Sequence, residues 1–247
     1  MELREIFYSN RFSSGELAGH NVGNLLLTHL FQQTGDWLKA IAAFSETLKI
    51  QGRVLPVTLD LTTLCAELAN GQIVKGETKI DKPEFDCHLS KIKLWLEPAG
   101  QVFEPVKQAI LNADYIFLGP GDLYTSILPN LLVGGMSELL AQSKAKLIFT
   151  CSLANRAIGE TCGFKASDYV SELQKYLARP IDTVILQDAA VQPNLAHFQA
   201  KKWEPVMIDF GAWQEKYKII SHDLYAETEA GMDWEKLMKP VGKVLEK

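Results

Sequence analysis

The sequence predicts an α/β protein built on a parallel sheet, with an antiparallel hairpin inserted ahead of it. Three observations carry this. From about residue 104 onward, short apolar runs alternate with helical segments, the rhythm of right-handed βαβ crossovers. Residues 53–97 instead read as strands joined by tight turns, with Asn70-Gly71 as the turn signal. One apolar strand runs straight into Gly119-Pro120-Gly121, a turn suited to the carboxyl end of a parallel strand.

Taken in order, the first helix is predicted over about residues 20–33, with Val22, Leu25, Leu26, Leu30 and Phe31 at helical spacing and Gly35 as its stop. Asp36 caps a second helix carrying Trp37, Leu38, Ile41, Phe44 and Leu48, closed by Gly52. Residues 54–57 and 61–68 read as strand. Asn70-Gly71 is expected to form a type I′ turn, and residues 72–80 to return as a strand; residues 91–97 alternate as another. A helix then opens near Glu104 with Pro105 in its first turn. Residues 114–118, 146–151, 182–187 and 204–210 are the predicted strands of the second half, separated by helices such as 168–177 and 194–202. A terminal helix over about residues 233–246 presents Trp234, Leu237, Met238, Val241 and Leu245 on one side.

The chain of 247 residues is long enough for one large domain, and residues 1–247 are read as such, with 53–97 as a β-rich insertion. A formal charge of −5 supplies no basic stripe, which argues against nucleic acid as a partner. No apolar run approaches the ~18 residues of a membrane span, and the start does not read as a signal peptide. Of the four cysteines, Cys65 and Cys151 sit in apolar runs and none forms a Cys-x-x-Cys with Cys87 or Cys162. Free thiols used as small hydrophobes fit this pattern better than disulfides or zinc ligands, and point to the cytoplasm.

Residues 118–133 carry the chemistry. A glycine-rich turn at the end of a strand lets backbone approach a ligand, and the following helix, opened by Thr125 and Ser126, offers N–H groups and a positive dipole end to phosphate. Asp122 complicates this cradle, because a carboxylate repels phosphate. It either bridges to a hard cation such as magnesium or caps the helix. A second candidate is Gly15 to Asn24, where His20 and Asn24 lie one turn apart; His20 either meets phosphate or proton chemistry, or is a structural hydrogen-bonder. The third runs from Asn155 to Phe164. There Glu160 could pair with a hydroxyl or metal, and Phe164 could stack on a base or be ordinary core. These segments are expected to border one cleft. No phosphate-binding lysine loop, zinc-protease helix or nucleophile elbow is present, and His20, His29, His88, His197 and His222 have no ligand spacing.

The same segments resemble a known family. Gly15-Glu-Leu-Ala-Gly-His-Asn-Val-Gly-Asn-Leu-Leu-Leu27, Thr63-Leu-Cys-Ala-Glu-Leu68 with Gly76-Glu77, Gly119-Pro-Gly-Asp-Leu-Tyr-Thr-Ser-Ile-Leu-Pro-Asn-Leu-Leu132, and Gly159-Glu-Thr-Cys-Gly-Phe164 are similar, in order and spacing, to the YvcK group of gluconeogenesis factors. Asp223-Leu224 extends the match to the tail. The related CofD enzymes, phospholactate transferases, share the fold and match these motifs less well.

The resemblance implies a Rossmann-like sheet with helices on both faces. It also implies a nucleotide-type ligand, UDP-sugars among them, and a regulatory role in central carbon metabolism and cell-wall or shape control. By matching position, Gly119, Gly121, Thr125, Ser126 and Asn130 would line the phosphate region, with Asn24 nearby. Relative to the family, Phe164 stands in place of a tyrosine, His197 near an expected arginine, and Asp122 in place of a serine. The sequence starts beyond the family's opening strand and glycine-rich loop. It is therefore expected to expose strand edges that favour a homo-oligomer or aggregation, and to bind nucleotides weakly. A non-catalytic regulator is the favoured reading. The alternatives are a CofD-type transferase with magnesium held by Asp122 or Glu160, and a degenerate copy that keeps the fold without the ligand.

Overall fold

The computed structural model describes residues 11–81, 93–209 and 211–246. Two compact units are present, Met1–Leu59 and Asp60–Lys247.

The first unit is a helix pair, α1 (Val22–Thr34) and α2 (Trp37–Thr47). Local sequence sets both ends of α1. The Asn21 side chain accepts the Asn24 N–H at 2.7 Å, and Gly35, in the left-handed region at φ +62, donates its N–H to Phe31 O. Asp36 Oδ1 then accepts from Leu38 and Lys39 and starts α2 as predicted. That helix ends at Thr47 rather than running to Gly52. Phe31 and Trp37 stack at 4.0 Å across the corner. Only Gly23 of α1 and Ala40 of α2 are buried.

The second unit opens with the antiparallel sheet β2-β1-β3, formed by β1 (Thr63–Glu67), β2 (Ile73–Lys75) and β3 (Lys93–Glu97). Residues 54–57 are not strand, in contrast to the prediction. The hairpin is where the sequence puts it, but its turn differs. Leu68 N–H closes onto Gln72 O, Gly71 N–H bonds Leu68 O, and only Gly71 takes positive φ (+81). This is a three-residue loop ending in a left-handed glycine, not a type I′ turn that needs two positive-φ residues. The returning strand stops at Lys75, because Gly76 turns at φ +100 and residues 77–81 wind into α3 (Glu77–Asp81).

After α4 (Glu104–Leu111), which starts on Glu104-Pro105 as expected, come β4 (Tyr115–Leu118), a π-helical turn (Leu123–Ile127), α5 (Leu128–Leu131) and α6 (Met136–Gln142). Next follow β5 (Lys146–Thr150), β6 (Ala154–Arg156), α7 (Ala166–Gln174), β7 (Thr183–Gln187), α8 (Leu195–Ala200) and β8 (Trp203–Pro205). A 3-10 turn (Ala212–Lys216), β9 (Lys218–His222) and α9 (Trp234–Leu245) complete the chain.

Strands β4, β5, β7 and β9 form one sheet in that order, and every neighbouring pair is parallel. The two middle strands are near-continuous apolar runs because both faces are covered; β7 is buried at every position. Outer strand β4 is only half-buried, with Phe117 38% exposed. The predicted fourth strand, 204–210, is a correction. Its first residues form β8, which pairs antiparallel with β6, and the true fourth parallel strand is β9; Phe210 lies outside the described residues. Ile148, Ile185, Phe198, Ile220, Leu224 and Leu237 form the core beside this sheet.

Helix α9 starts where the sequence predicts, capped by Asp233 Oδ1 on the N–H groups of Glu235 and Lys236. Its apolar residues divide into two stripes. Leu237, Val241 and Val244 pack on the core, whereas Trp234, Met238 and Leu245 face outward. Among the described residues no helix is long and apolar enough to cross a membrane. Cys65 and Cys151 are buried free thiols, as predicted. Cys87 and His88 lie outside the described residues.

Candidate functional site

Four chain segments leave the carboxyl ends of the parallel strands and meet around one loop. Gly119 to Asp122 follows β4, Ser152 to Arg156 follows β5, Trp203 comes after β7, and Gly231 to Trp234 after β9. Open parallel sheets bind ligands at this edge, since helix N-termini and loops rather than side-chain core face it. The turn after β4 depends on Gly119. Its φ is +74, and an added Cβ would stand 2.9 Å from the Thr150 carbonyl oxygen at the end of β5. Gly121, by contrast, sits outside the left-handed region with ordinary contacts around it.

This loop separates two clefts. The first, of about 230 Å³, runs from Gly121 and Asp122 past Ser152, Asn155 and Arg156 to Trp203, Met232 and Trp234. The second, of about 340 Å³, lies toward the outer strand and is bordered by Phe117, Gly119, Gly121, Ser126 and Asn130. Gly121 borders both.

Arg156 organises the first cleft. Its Nη1 lies 2.6 Å from Asp81 Oδ1 and its Nη2 3.3 Å from Asp122 Oδ2, so the guanidinium joins α3 to the glycine loop. Gly159 makes room for it, because a Cβ there would fall 2.8 Å from Arg156 Cβ. Burial opposes the charge on Arg156, but the two carboxylates outweigh burial and hold its pKa above the ordinary value. Burial of the Asp122 carboxyl raises its pKa, Arg156 opposes that shift, and Asp81 adds to it. Antiparallel pairing of β6 with β8 sets Arg156 directly opposite Trp203, bringing a charged and an aromatic side chain together.

Asp122 does not cap the following helix with its side chain, one of the two readings the sequence left open. The cap comes from 36 residues away: Glu160 Oε1 accepts the Tyr124 N–H at 2.9 Å. The helical segment itself starts at Leu123 with a π-turn, earlier than the predicted Thr125-Ser126 start. An internal carboxylate thus already occupies part of the N-terminal end that was expected to hold phosphate. Glu160 is buried, and burial pushes its pKa up to about 7; the Tyr124 N–H and the Thr125 hydroxyl oppose the shift, while Asp122 and Asp81 increase it.

The remaining predicted residues divide among these places. Gly121, Asp122 and Asn155 border the first cleft; Gly119, Ser126 and Asn130 border the second. Asn155 is committed on both amide atoms, donating to Phe164 O at 2.7 Å and bonding Tyr169 Oη at 2.8 Å. Thr125 and Glu160 line neither cleft and meet each other at the start of the π-turn, and Phe164 packs edge-on between Tyr124 and Tyr169, which is its core reading. His20 and Asn24 belong to the first unit, and both are exposed. His197 lies in α8, its Nε2 3.2 Å from Asn194 Nδ2.

The profile of the family described as 2-phospho-L-lactate transferase CofD matches residues 2–225. The chain belongs to the CofD/YvcK family. Within it, the gluconeogenesis factor of Halalkalibacterium halodurans is 36% identical over 214 residues, covering 84% of this chain and 64% of that protein. The gluconeogenesis factor of Bacillus subtilis is 33% identical over 210 residues, covering 84% of this chain and 65% of that one. This CofD-family chain therefore spans slightly less than two thirds of the length of these curated relatives. A crystal structure of a UPF0052 family member from Bacillus halodurans superposes with a TM-score of 0.82 at 32% identity, covering 100% of this chain and 78% of that one.

Sequence reasoning passed over Arg156, Trp203 and Trp234. The one local signal was a basic residue just past a buried strand on the ligand edge; no motif joins it to tryptophans that β-pairing and a helix start bring in from later in the chain.

Proposed function

We propose that this CofD-family chain is a ligand-binding regulator that takes a nucleotide sugar such as a UDP-sugar at the carboxyl edge of its parallel sheet. Its role is in central carbon metabolism and cell-wall or cell-shape control. The observation that carries the reading is the Gly119-Pro120-Gly121 loop, whose backbone borders two clefts at the ligand edge of the sheet. Kinship with gluconeogenesis factors supports the regulatory side. The second cleft suits the phosphates, since Ser126 and Asn130 supply polar groups without a carboxylate. Calorimetry with UDP-N-acetylglucosamine, with and without magnesium, tests the reading: saturable heat is the expected result, and its absence in both conditions removes the nucleotide sugar.

Asp122 provides a sharper test. Asp122→Ser removes a carboxylate beside the loop and leaves Arg156 with one acidic partner instead of two. UDP binding without metal is expected to tighten roughly three- to tenfold, ~1 kcal/mol for one charge across a screened cleft. Weaker UDP binding after the substitution would instead make Asp122 a contact of the nucleotide itself.

The family's transferase description favours a second reading, in which magnesium bridges a phosphorylated donor to Asp122 or Glu160. Among the described residues no group of three or more His, Cys, Asp and Glu side chains is arranged to hold a metal. Asp122 would have to leave Arg156, and Glu160 would have to leave the Tyr124 N–H, to serve as ligands. Release of product from a nucleotide-linked donor, dependent on magnesium, would select this reading.

A further inference from the structure

Away from the ligand edge, one long side of the parallel sheet is open. Among the described residues no strand pairs with the outer edge of β4. Its residues, Tyr115-Ile116-Phe117-Leu118, include neither the charge nor the proline with which edge strands ordinarily discourage pairing. The opposite edge differs, since β9 begins on an exposed Lys218 and ends on His222.

Helix α9 runs beside β4 in the opposite direction. Trp234, in its first turn, borders a cleft with Pro120 and Gly121, just past the end of β4. Val244 and Glu246, at its far end, border another with Asp114 and Tyr115, at the strand's start. Tyr115, Val241 and Val244 pack against one core cluster, and Phe117, two residues on from Tyr115, belongs to the same face of the sheet. Trp234, Met238 and Leu245 are between 45% and 61% exposed. With Val241 among them they recur at steps of four, three and four residues, the spacing of a helix–helix seam. Gly242, one turn after Met238, has open space where a Cβ would stand, so a second helix can come close there.

These surfaces suit a second copy of the chain. Paired antiparallel, a strand edge is its own complement. A two-fold axis at β4 joins it to the same strand of another copy and lays the two α9 helices side by side, running oppositely. Charge agrees with that direction. Helix α9 opens on Asp233 and Glu235 and carries Lys239 and Lys243 in its second half, so the acidic start of one helix meets the basic half of the other. Area agrees as well. Phe117, Trp234, Met238 and Leu245 present roughly 400 Å² of apolar surface per copy, roughly 800 Å² for two, before strand edge and rim bring it toward the ~1,000 Å² of a specific interface.

We propose that two copies of this chain join through this face, β4 against β4 and α9 against α9, so that two four-stranded sheets become one continuous sheet. The pairing does not depend on the nucleotide-sugar reading.

Sedimentation of the full chain over a concentration series is expected to show a 27.6 kDa monomer giving way to a species of twice that mass, with a dissociation constant roughly micromolar. Deuterium exchange within Tyr115–Leu118 is expected to slow roughly tenfold as the dimer is populated. Phe117→Lys puts a charge on the open edge, and Met238→Lys puts one in the seam. Each is expected to raise the dissociation constant roughly tenfold or more with parent-like circular dichroism, because both side chains are exposed in the single chain. Ile73→Lys, an exposed position on the outer strand β2 of the other sheet, is expected to leave association unchanged. A chain that stays monomeric throughout overturns the pairing and leaves the face to a different partner. Growth beyond a dimer, a dimer that survives both lysine substitutions on the face, one that is lost with Ile73→Lys, or one that leaves exchange in β4 unslowed overturns it equally.

Discussion

Glu160→Gln is expected to abolish most of a stability loss that the parent protein shows between pH 5 and pH 8. Glu160 is 8% exposed, and among the described residues its Oε2 has no hydrogen-bond partner. Burial is the main cause that lifts its pKa from the ordinary 4.5 to about 7. Between those values the folded protein keeps a proton that the unfolded chain has released. Stability therefore falls as pH rises through this window and stays lowered above it. At about 1.4 kcal/mol per pH unit, the full effect is on the order of 3 kcal/mol. Glutamine retains a carbonyl oxygen to accept the Tyr124 N–H and carries no charge at any of these pH values. Denaturant unfolding at pH 5, 6.5 and 8 should show a declining series for the parent and a nearly level one for the variant, with the variant the more stable at pH 8. Parallel pH profiles would show that Glu160 is not the group responsible.

That carboxylate also marks the limit of what the sequence discloses. Glu160 was legible as a candidate because it lies in a glycine-containing segment after a buried strand. Its partner was not, because a backbone N–H 36 residues earlier has no sequence signature. Strands β5 and β7 were legible because double-sided burial demands unbroken apolar runs. Strand β9 was missed because Lys218-Ile-Ile-Ser-His222 is short, flanked by polar residues and buried only at Ile220. Residues 204–210 imitate a strand through alternating Val206 and Ile208, yet Val206 N–H goes to Leu153 O and Met207 bridges Lys165, outside the parallel sheet. Phe164, which the sequence left open between base stacking and core, is a half-buried ring packed edge-on between Tyr124 and Tyr169. Asp122 pairs with Arg156, which spans from the loop to Asp81, and no local motif announces that pairing.

Gly119→Ala and Gly121→Ala, two residues apart in one loop, are expected to give opposite outcomes. At Gly119 the backbone is left-handed, which costs an alanine about 1–2 kcal/mol before any contact is counted. The new Cβ would also meet the Thr150 carbonyl oxygen at 2.9 Å and Ile127 Cδ1 at 3.1 Å. Thr150 ends a central strand whose next residue, Cys151, bonds Ile185 O, so the backbone it would have to push is held in the sheet. Relief has to come from the loop itself, which would shift away from β5 and change both clefts. A loss of roughly 2–4 kcal/mol in unfolding free energy is expected for Gly119→Ala, together with weakened nucleotide binding. At Gly121 the nearest atoms to a Cβ are Ser126 Cβ at 3.5 Å and Ile127 Cγ1 at 3.7 Å, ordinary contact distances. Alanine there restricts the unfolded chain and is expected to leave stability within about 1 kcal/mol of the parent, while placing a methyl group beside both clefts. Equilibrium unfolding and UDP-N-acetylglucosamine titration of the two variants, run side by side, separate the roles. A parent-like melt for Gly119→Ala would mean that the loop yields without cost, and the argument that β5 fixes its path would be wrong. Parent-like titration of a stable Gly121→Ala would remove the loop backbone from the binding site.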